Sequence, residues 1–237
     1  MNSNDTGETE YHIFISHSTK DLKDVMKLVN GLSSYGLRSF VAHRDIQLSK
    51  EWVKEIENQL SKCKVFIAFL TANFKTSDWC DQEAGIAYSN NLKIIPLNCD
   101  GGTNSYGFLS KFQTTSPIFE EDNRNLFRMS KFRKDVLNIV DAMLSEKEII
   151  EFTKSSILNQ VEEIHSYYDS DCIFSLIPKL EPFTEEEVKR LIKLSVNNNQ
   201  IYGAGSAQKP LKEIISKYYG VLNGMPETKE LITKISL

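Results

Sequence analysis

The chain has 237 residues, 41% hydrophobic and 25% charged, with a formal net charge of −4. That length holds one large domain, or one of roughly 150 residues with a smaller partner, and the mild acidity supplies no global attraction for nucleic acid or anionic lipid. Four cysteines (Cys63, Cys80, Cys99, Cys172) without CxxC spacing, and four histidines (His12, His17, His43, His165) not clustered with them, point to a reduced, cytosolic protein and away from disulfides and zinc.

Residues 1–9 are polar and acidic, without the apolar stretch of a signal peptide, and read as a disordered lead. "YHIFIS", Tyr11–Ser16, is a short β-rich run. Leu22, Val25, Met26, Val29 and Leu32 then recur at helical spacing, with Gly36 as the stop. "LRSFVA", Leu37–Ala42, is the second strand candidate and "HRDIQLSKE", His43–Glu51, a loop. Trp52, Ile56 and Leu60 stand four apart on an amphipathic helix. "VFIAFL", Val65–Leu70, is wholly apolar, as a central parallel strand covered on both faces should be. It is far too short to span a bilayer. A helix through "DWCDQEAGIAYSNN" leads to a strand, "KIIPLNC", which Pro96 weakens or places near an edge. Residues 100–123 are mostly loop, with a short strand near "TTSPIF", and Asn125–Leu144 is a long helix. Alternating strands and helices imply a parallel sheet with helices on both faces. Strand signals stop near Leu144, and residues 145–237 read as a smaller α-helical unit.

Several motifs reduce to structure. "YGAGSAQK" (Tyr202–Lys209) has GxG but no third glycine and no preceding strand, so it reads as a turn before a helix opened by Pro210. In "SHSTKD" (Ser16–Asp21), Ser18 and Asp21 have capping-box spacing, while a helix start after a strand, with a nearby His and Lys, can also hold phosphate. A receiver-type phosphoacceptor is disfavoured, since "SHS" and Thr71 occupy its acidic positions. In "SDWCDQEAG" (Ser77–Gly85), Trp79 and Glu83 lie one helical turn apart and share a face.

Together "HIFISHSTKD", "GLRSFVAHRDIQLSKEW", "CKVFIAFLTANFKTSDWCDQEAG" and "KIIPL" resemble, in order and spacing, a Toll/interleukin-1 receptor (TIR) domain of the bacterial, NAD-cleaving kind. The resemblance covers residues 10–144. It implies an α/β, flavodoxin-like parallel sheet of five strands flanked by helices. It assigns the key carboxylate to Glu83 and substrate contacts to Trp79, His17, Phe14, Arg44 and Ser16. For His17 and Arg44 the structural and ligand-binding readings stand equal; Cys80 reads as core, and Phe14 and Phe40, on or near strand ends, read more readily as core than as contacts. The loop His43–Glu51 matches the family's assembly loop, with Asp45, Ile46 and Lys50 as its candidates, and Lys50 stands where many members carry glycine.

The chemistry suits one carboxylate. Nicotinamide leaves NAD+ as a neutral base from a pyridinium, so the second, proton-donating carboxyl of an O-glycosidase is not needed. An ionised glutamate stabilises the oxocarbenium-like ribose, and an aromatic ring stacks on the flat base. The expected protein is thus an NAD+ nucleosidase or ADP-ribosyl cyclase, cytoplasmic, with NAD+ as substrate and no cofactor or metal. By resemblance it acts in antiphage defence of the Thoeris type, assembles through its TIR surfaces and answers an infection-derived protein trigger; nucleic acid and membrane are not expected partners. The competing readings are a non-enzymatic TIR scaffold or host-signalling mimic, and a nucleoside deoxyribosyltransferase. The helical unit is expected either to gate activity or simply to bury Val188, Leu191, Ile192, Leu211, Ile214 and Ile215 as its own core.

Overall fold

Strand β1 (Ile13–Ser16) is followed by helix α1 (Leu22–Ser33), strand β2 (Ser39–Phe40), helix α2 (Trp52–Lys62), strand β3 (Val65–Leu70), helix α3 (Asp78–Ser89), strand β4 (Lys93–Asn98) and helix α4 (Lys131–Met143). The computed structural model describes residues 11–42, 52–116 and 131–236. The chain divides into two units, one running to Ser33 and resuming over Leu37–Met143, the other taking Ser34–Gly36 and everything from Leu144 onward.

The sheet is parallel, in the order β2-β1-β3-β4. Right-handed crossovers fix which face each helix covers. The step from β1 to β2 runs one way along the sheet, whereas those from β2 to β3 and from β3 to β4 run the other way. α1 therefore belongs on one face, α2 and α3 on the opposite one. The core agrees: Phe14, Phe40, Phe66, Ala68, Leu70 and Ile94 from alternate strand positions pack with Ile56 and Leu60 of α2 and with Cys80, Ala84 and Ala87 of α3. The intervening residues Ile13, Ile15, Ile67 and Phe69 are equally buried, as strands covered on both sides require. α1 packs on α4, so closely that a Cβ on Gly31 would lie 2.9 Å from Val136 Cγ2.

Three expectations need correction. The second strand is two residues long rather than six, because only Ser39 and Phe40 pair with β1. Four strands, not five, form the sheet among the described residues; Thr115 makes a single parallel bridge to Leu97. The helix expected from Asn125 is described from Lys131, the residues before it lying outside the described set. Pro96 sits inside β4 without breaking its ladder. Its carbonyl accepts from Thr115 N, so its missing N–H also faces away from β3.

The second unit is helical: α5 (Lys147–Asn159), α6 (Tyr167–Phe174), α7 (Glu185–Asn197), α8 (Gly205–Lys217) and α9 (Pro226–Ser236), with short turns between them. Thr184 and Glu187 form a reciprocal capping box at the start of α7. Val188, Leu191, Ile192, Leu211, Ile214 and Ile215 are all buried, so they are core and not a free face. α8 starts at Gly205, five residues before Pro210, which lies inside the helix instead of opening it. Gly36 ends α1 as expected. It takes a φ of 74°, and Leu37 N donates to the Leu32 carbonyl, the hydrogen bond of a Schellman end. Among the described residues no helix is long and apolar enough to cross a membrane.

Candidate active site

The buried positions of α3 are Cys80, Glu83, Ala84 and Ala87. That is the i, i+3, i+4, i+7 stripe of a helix laid against a core. Three of the four are small, which lets the helix approach the sheet closely. The fourth is a glutamate at a position where an apolar residue belongs. Glu83 is only 6% exposed. Its partner is a neutral hydroxyl: Ser16 Oγ donates to Glu83 Oε2 over 2.5 Å. Burial pushes the Glu83 carboxyl up to about 7, and the Ser16 hydrogen bond pulls the other way. A carboxyl poised near neutrality inside a fold is a common mark of a reactive site.

Its place in the topology points the same way. Ser16 ends β1 and pairs with Ala68 of the neighbouring β3. From β1 the chain crosses toward β2, and from β3 toward β4. The carboxyl ends of β1 and β3 thus flank the point where the winding reverses, which is where open α/β sheets bind ligands.

The residues expected at the site divide. Glu83, Ser16 and Cys80 come together. Cys80 lies one turn before Glu83, and burial pushes its thiol up to about 11, so it stays neutral. Trp79 is in the first turn of α3, one turn before Glu83, and is 46% exposed. His17 is buried, with Nδ1 3.3 Å from the Ile15 carbonyl. Phe14 requires correction as a substrate contact. It is fully buried, its ring stacked on Phe66 at 5.9 Å and tilted against Phe40 at 5.3 Å, and is part of the floor of the core. Arg44 and the assembly-loop candidates Asp45, Ile46 and Lys50 lie outside the described residues.

Two further carboxylates at this edge escaped the sequence reading. Ser18 precedes a 3-10 turn but makes no side-chain cap, so the expected capping box is absent. Asp21 instead reaches across to accept from Thr71 Oγ1 at 2.6 Å and Asn73 Nδ2 at 2.8 Å. Thr71 in turn caps the short helix Ala72–Lys75 by accepting from Phe74 N. Asp100 accepts from Ala72 N, Gly102 N, Thr103 N and Thr103 Oγ1. Desolvation is the largest single influence and raises its proton affinity, but these donors together outweigh it and hold the carboxyl down to about 2. The "DGGT" run is a turn signal that could have found Asp100; nothing local announces the partners of Asp21. These bonds tie the ends of β1, β3 and β4 together around the site. On the outer side of α3, Tyr106 Oη donates to Asp81 Oδ1 at 2.7 Å and fastens the loop after β4 to the helix.

Comparison with known proteins bears on this arrangement. Residues 13–126 match the family profile described as "TIR domain", just under half of the chain. A Brachypodium distachyon protein named "Probable 2' cyclic ADP-D-ribose synthase BdTIR" is 26% identical over 96 residues, 40% of this chain and 43% of that protein. The chain thus spans less than half the length of this curated relative. A solved structure, the TIR domain of the Toll-related receptor TRR-2 from Hydra magnipapillata, aligns with a TM-score of 0.41 at 22% identity, covering 45% of this chain and 83% of that one. Residues 13–126 are thus similar to TIR domains.

Proposed function

We propose that this TIR domain cleaves NAD+ between nicotinamide and ribose, with Glu83 as the carboxylate facing the ribose. The observation that carries the reading is the burial of Glu83 in the apolar stripe of α3, against Ser16 and beside the point where the winding of the sheet reverses. A buried, half-ionised carboxylate is a poor structural element, because ionising it in the core costs stability. It is well suited to a cationic ligand. The positive pyridinium favours the ionised form of Glu83, and the ionised form stabilises the positive charge that develops at the ribose.

In the step itself the ribose C1′–nitrogen bond breaks and its electron pair stays on nicotinamide, which departs neutral. Water then adds to C1′ and loses a proton to Glu83, giving ADP-ribose. If a hydroxyl of the ligand itself adds instead, the product is cyclic, the outcome named for the Brachypodium relative. Trp79, exposed and one turn before Glu83, is the aromatic proposed to stack on the nicotinamide. By resemblance we extend the proposal to an antiphage setting and to assembly through TIR surfaces.

The test is release of nicotinamide from NAD+ by the purified, concentrated full chain. The wild type is expected to release it and Glu83→Gln to lose at least about a hundredfold in rate, the scale of removing a group that stabilises charge in the transition state. Full activity in Glu83→Gln would overturn the assignment. A second reading, association without chemistry, draws on the exposed side chains Val53, Trp79 and Phe108 of the same unit. It leaves the burial of Glu83 without a use.

A further inference from the structure

We infer that Ser16 is a positioning residue for Glu83 and does not itself bind substrate. The inference rests on the reading of Glu83 as the reacting carboxylate, and it reverses the contact that the resemblance assigns to Ser16. A serine hydroxyl carries one proton. That of Ser16 is directed to Glu83 Oε2, with the Cys80 sulfur the other acceptor in its reach, so none remains to donate to a ribose hydroxyl or a phosphate.

The geometry is set by the fold. Ser16 is the last residue of β1, locked opposite Ala68 in the ladder, and is itself buried. Strand alternation turns its side chain to the face of Phe14, which α2 and α3 cover. α3 brings Glu83 to that face on a stripe of small residues. One carboxylate oxygen is therefore pinned by a donor fixed in the sheet, which leaves Oε1 for the ligand.

Neighbouring charged groups are engaged elsewhere or stay neutral. The Cys80 thiol, on the same stripe, is neutral at physiological pH. Asp81 accepts from Tyr106, and Lys75 lies over the Tyr106 ring. Lys111 donates to Tyr88 Oη, Glu55 of α2 accepts from Gln59, and His17 Nδ1 lies against the Ile15 carbonyl. The Ser16 hydroxyl is thus the group that favours the ionised, reactive form of Glu83 against burial.

The experiment compares wild type, Ser16→Ala and Ser16→Thr as full chains, with two readouts. The first follows the Glu83 carboxyl by carbon NMR across pH, its signal identified by its loss in Glu83→Gln. The second is the pH profile of nicotinamide release. In Ser16→Ala the Glu83 midpoint should rise by about one pH unit or more, the worth of a hydrogen bond to a charged group. The turnover rate should fall about fivefold or more at neutral pH, as the ionised fraction of Glu83 does, and recover at higher pH, while KM for NAD+ changes by less than about twofold. Ser16→Thr should restore the wild-type midpoint. A raised KM with the midpoint and pH profile unmoved would overturn the inference and make Ser16 a substrate contact. Should the alanine chain not fold, Ser16→Thr and Ser16→Val, alike in shape and differing in the hydroxyl, give the same readouts. If no chain releases nicotinamide, the NAD+ reading fails, and the NMR midpoints still decide whether Ser16 governs Glu83.

Discussion

Replacing Glu83 by glutamine should stabilise the protein while abolishing its chemistry, and the stabilisation should depend on pH. The ordinary glutamate value is 4.5, and burial raises Glu83 to about 7. Between those values the unfolded chain has released its proton and the folded chain has kept it. Fewer protons bound in the unfolded state means that stability falls as pH rises through this window. The difference corresponds to a loss of about 3 kcal/mol, complete above the folded value. Against a total stability of about 5–15 kcal/mol such a loss is large. Glutamine keeps an oxygen to accept from Ser16 but carries no charge. The stability of Glu83→Gln relative to wild type should therefore climb by about 3 kcal/mol from pH 4 to pH 8.5, other titrations cancelling in the difference. Urea unfolding followed by tryptophan fluorescence suits the purpose, because the two tryptophans of the chain, Trp52 and Trp79, both belong to the first unit. A difference that stays flat across that range would refute the claim that an ionisable carboxyl is buried there.

Other substitutions separate the site from its support. Trp79→Ala, at a half-exposed position, should change stability by less than about 0.5 kcal/mol yet lower nicotinamide release about tenfold or more, the scale of a lost stacking partner. Phe14→Ala empties a fully buried position between Phe40 and Phe66 and should cost about 3–5 kcal/mol in urea unfolding. Any activity it loses should track the unfolded fraction and leave KM unchanged. Gly36→Ala puts a side chain at φ 74°, with its Cβ 2.9 Å from Ile157 Cα, and should destabilise the helical unit by about 1–3 kcal/mol, read by circular dichroism on heating.

The outline of the fold was legible because its signals are local. A wholly apolar run at Val65–Leu70 needs cover on both faces, and the sheet supplies it. Leu22 to Leu32 spell a helix and Gly36 its stop. Glu83 was singled out by its spacing from Trp79, although the more telling pattern was the apolar stripe Cys80, Ala84, Ala87 that it interrupts. Where the reading failed, non-local bonds decided. Ser18 and Asp21 have capping-box spacing, but Asp21 gains more by bonding to Thr71 and Asn73, some fifty positions away. Six strand-like residues from Leu37 yield a two-residue strand, since strand length depends on how much of a neighbour is there to pair with. Phe14 stood both as a contact by resemblance and as core by its place on a strand, and the ring packing around it favours the core.

Handedness, helix composition and charge together give the physical basis on which one carboxylate would suffice for the proposed cleavage. Right-handed crossovers bring α2 and α3 to the face onto which Ser16 projects, and the small residues of α3 bring Glu83 within hydrogen-bond reach of it. Burial then opposes ionisation, and the single hydroxyl donor offsets that opposition in part, leaving the carboxyl near its balance point at neutral pH. At such a balance a nearby positive charge has its largest effect on the fraction ionised. The pyridinium of NAD+ carries that charge in the ground state, and the ribose carries it as the bond breaks. A neutral ligand of the same shape would leave Glu83 largely as it is. On the proposed reading, selection for a cationic leaving group follows from where the fold places one glutamate, without a second acid to protonate the base that departs.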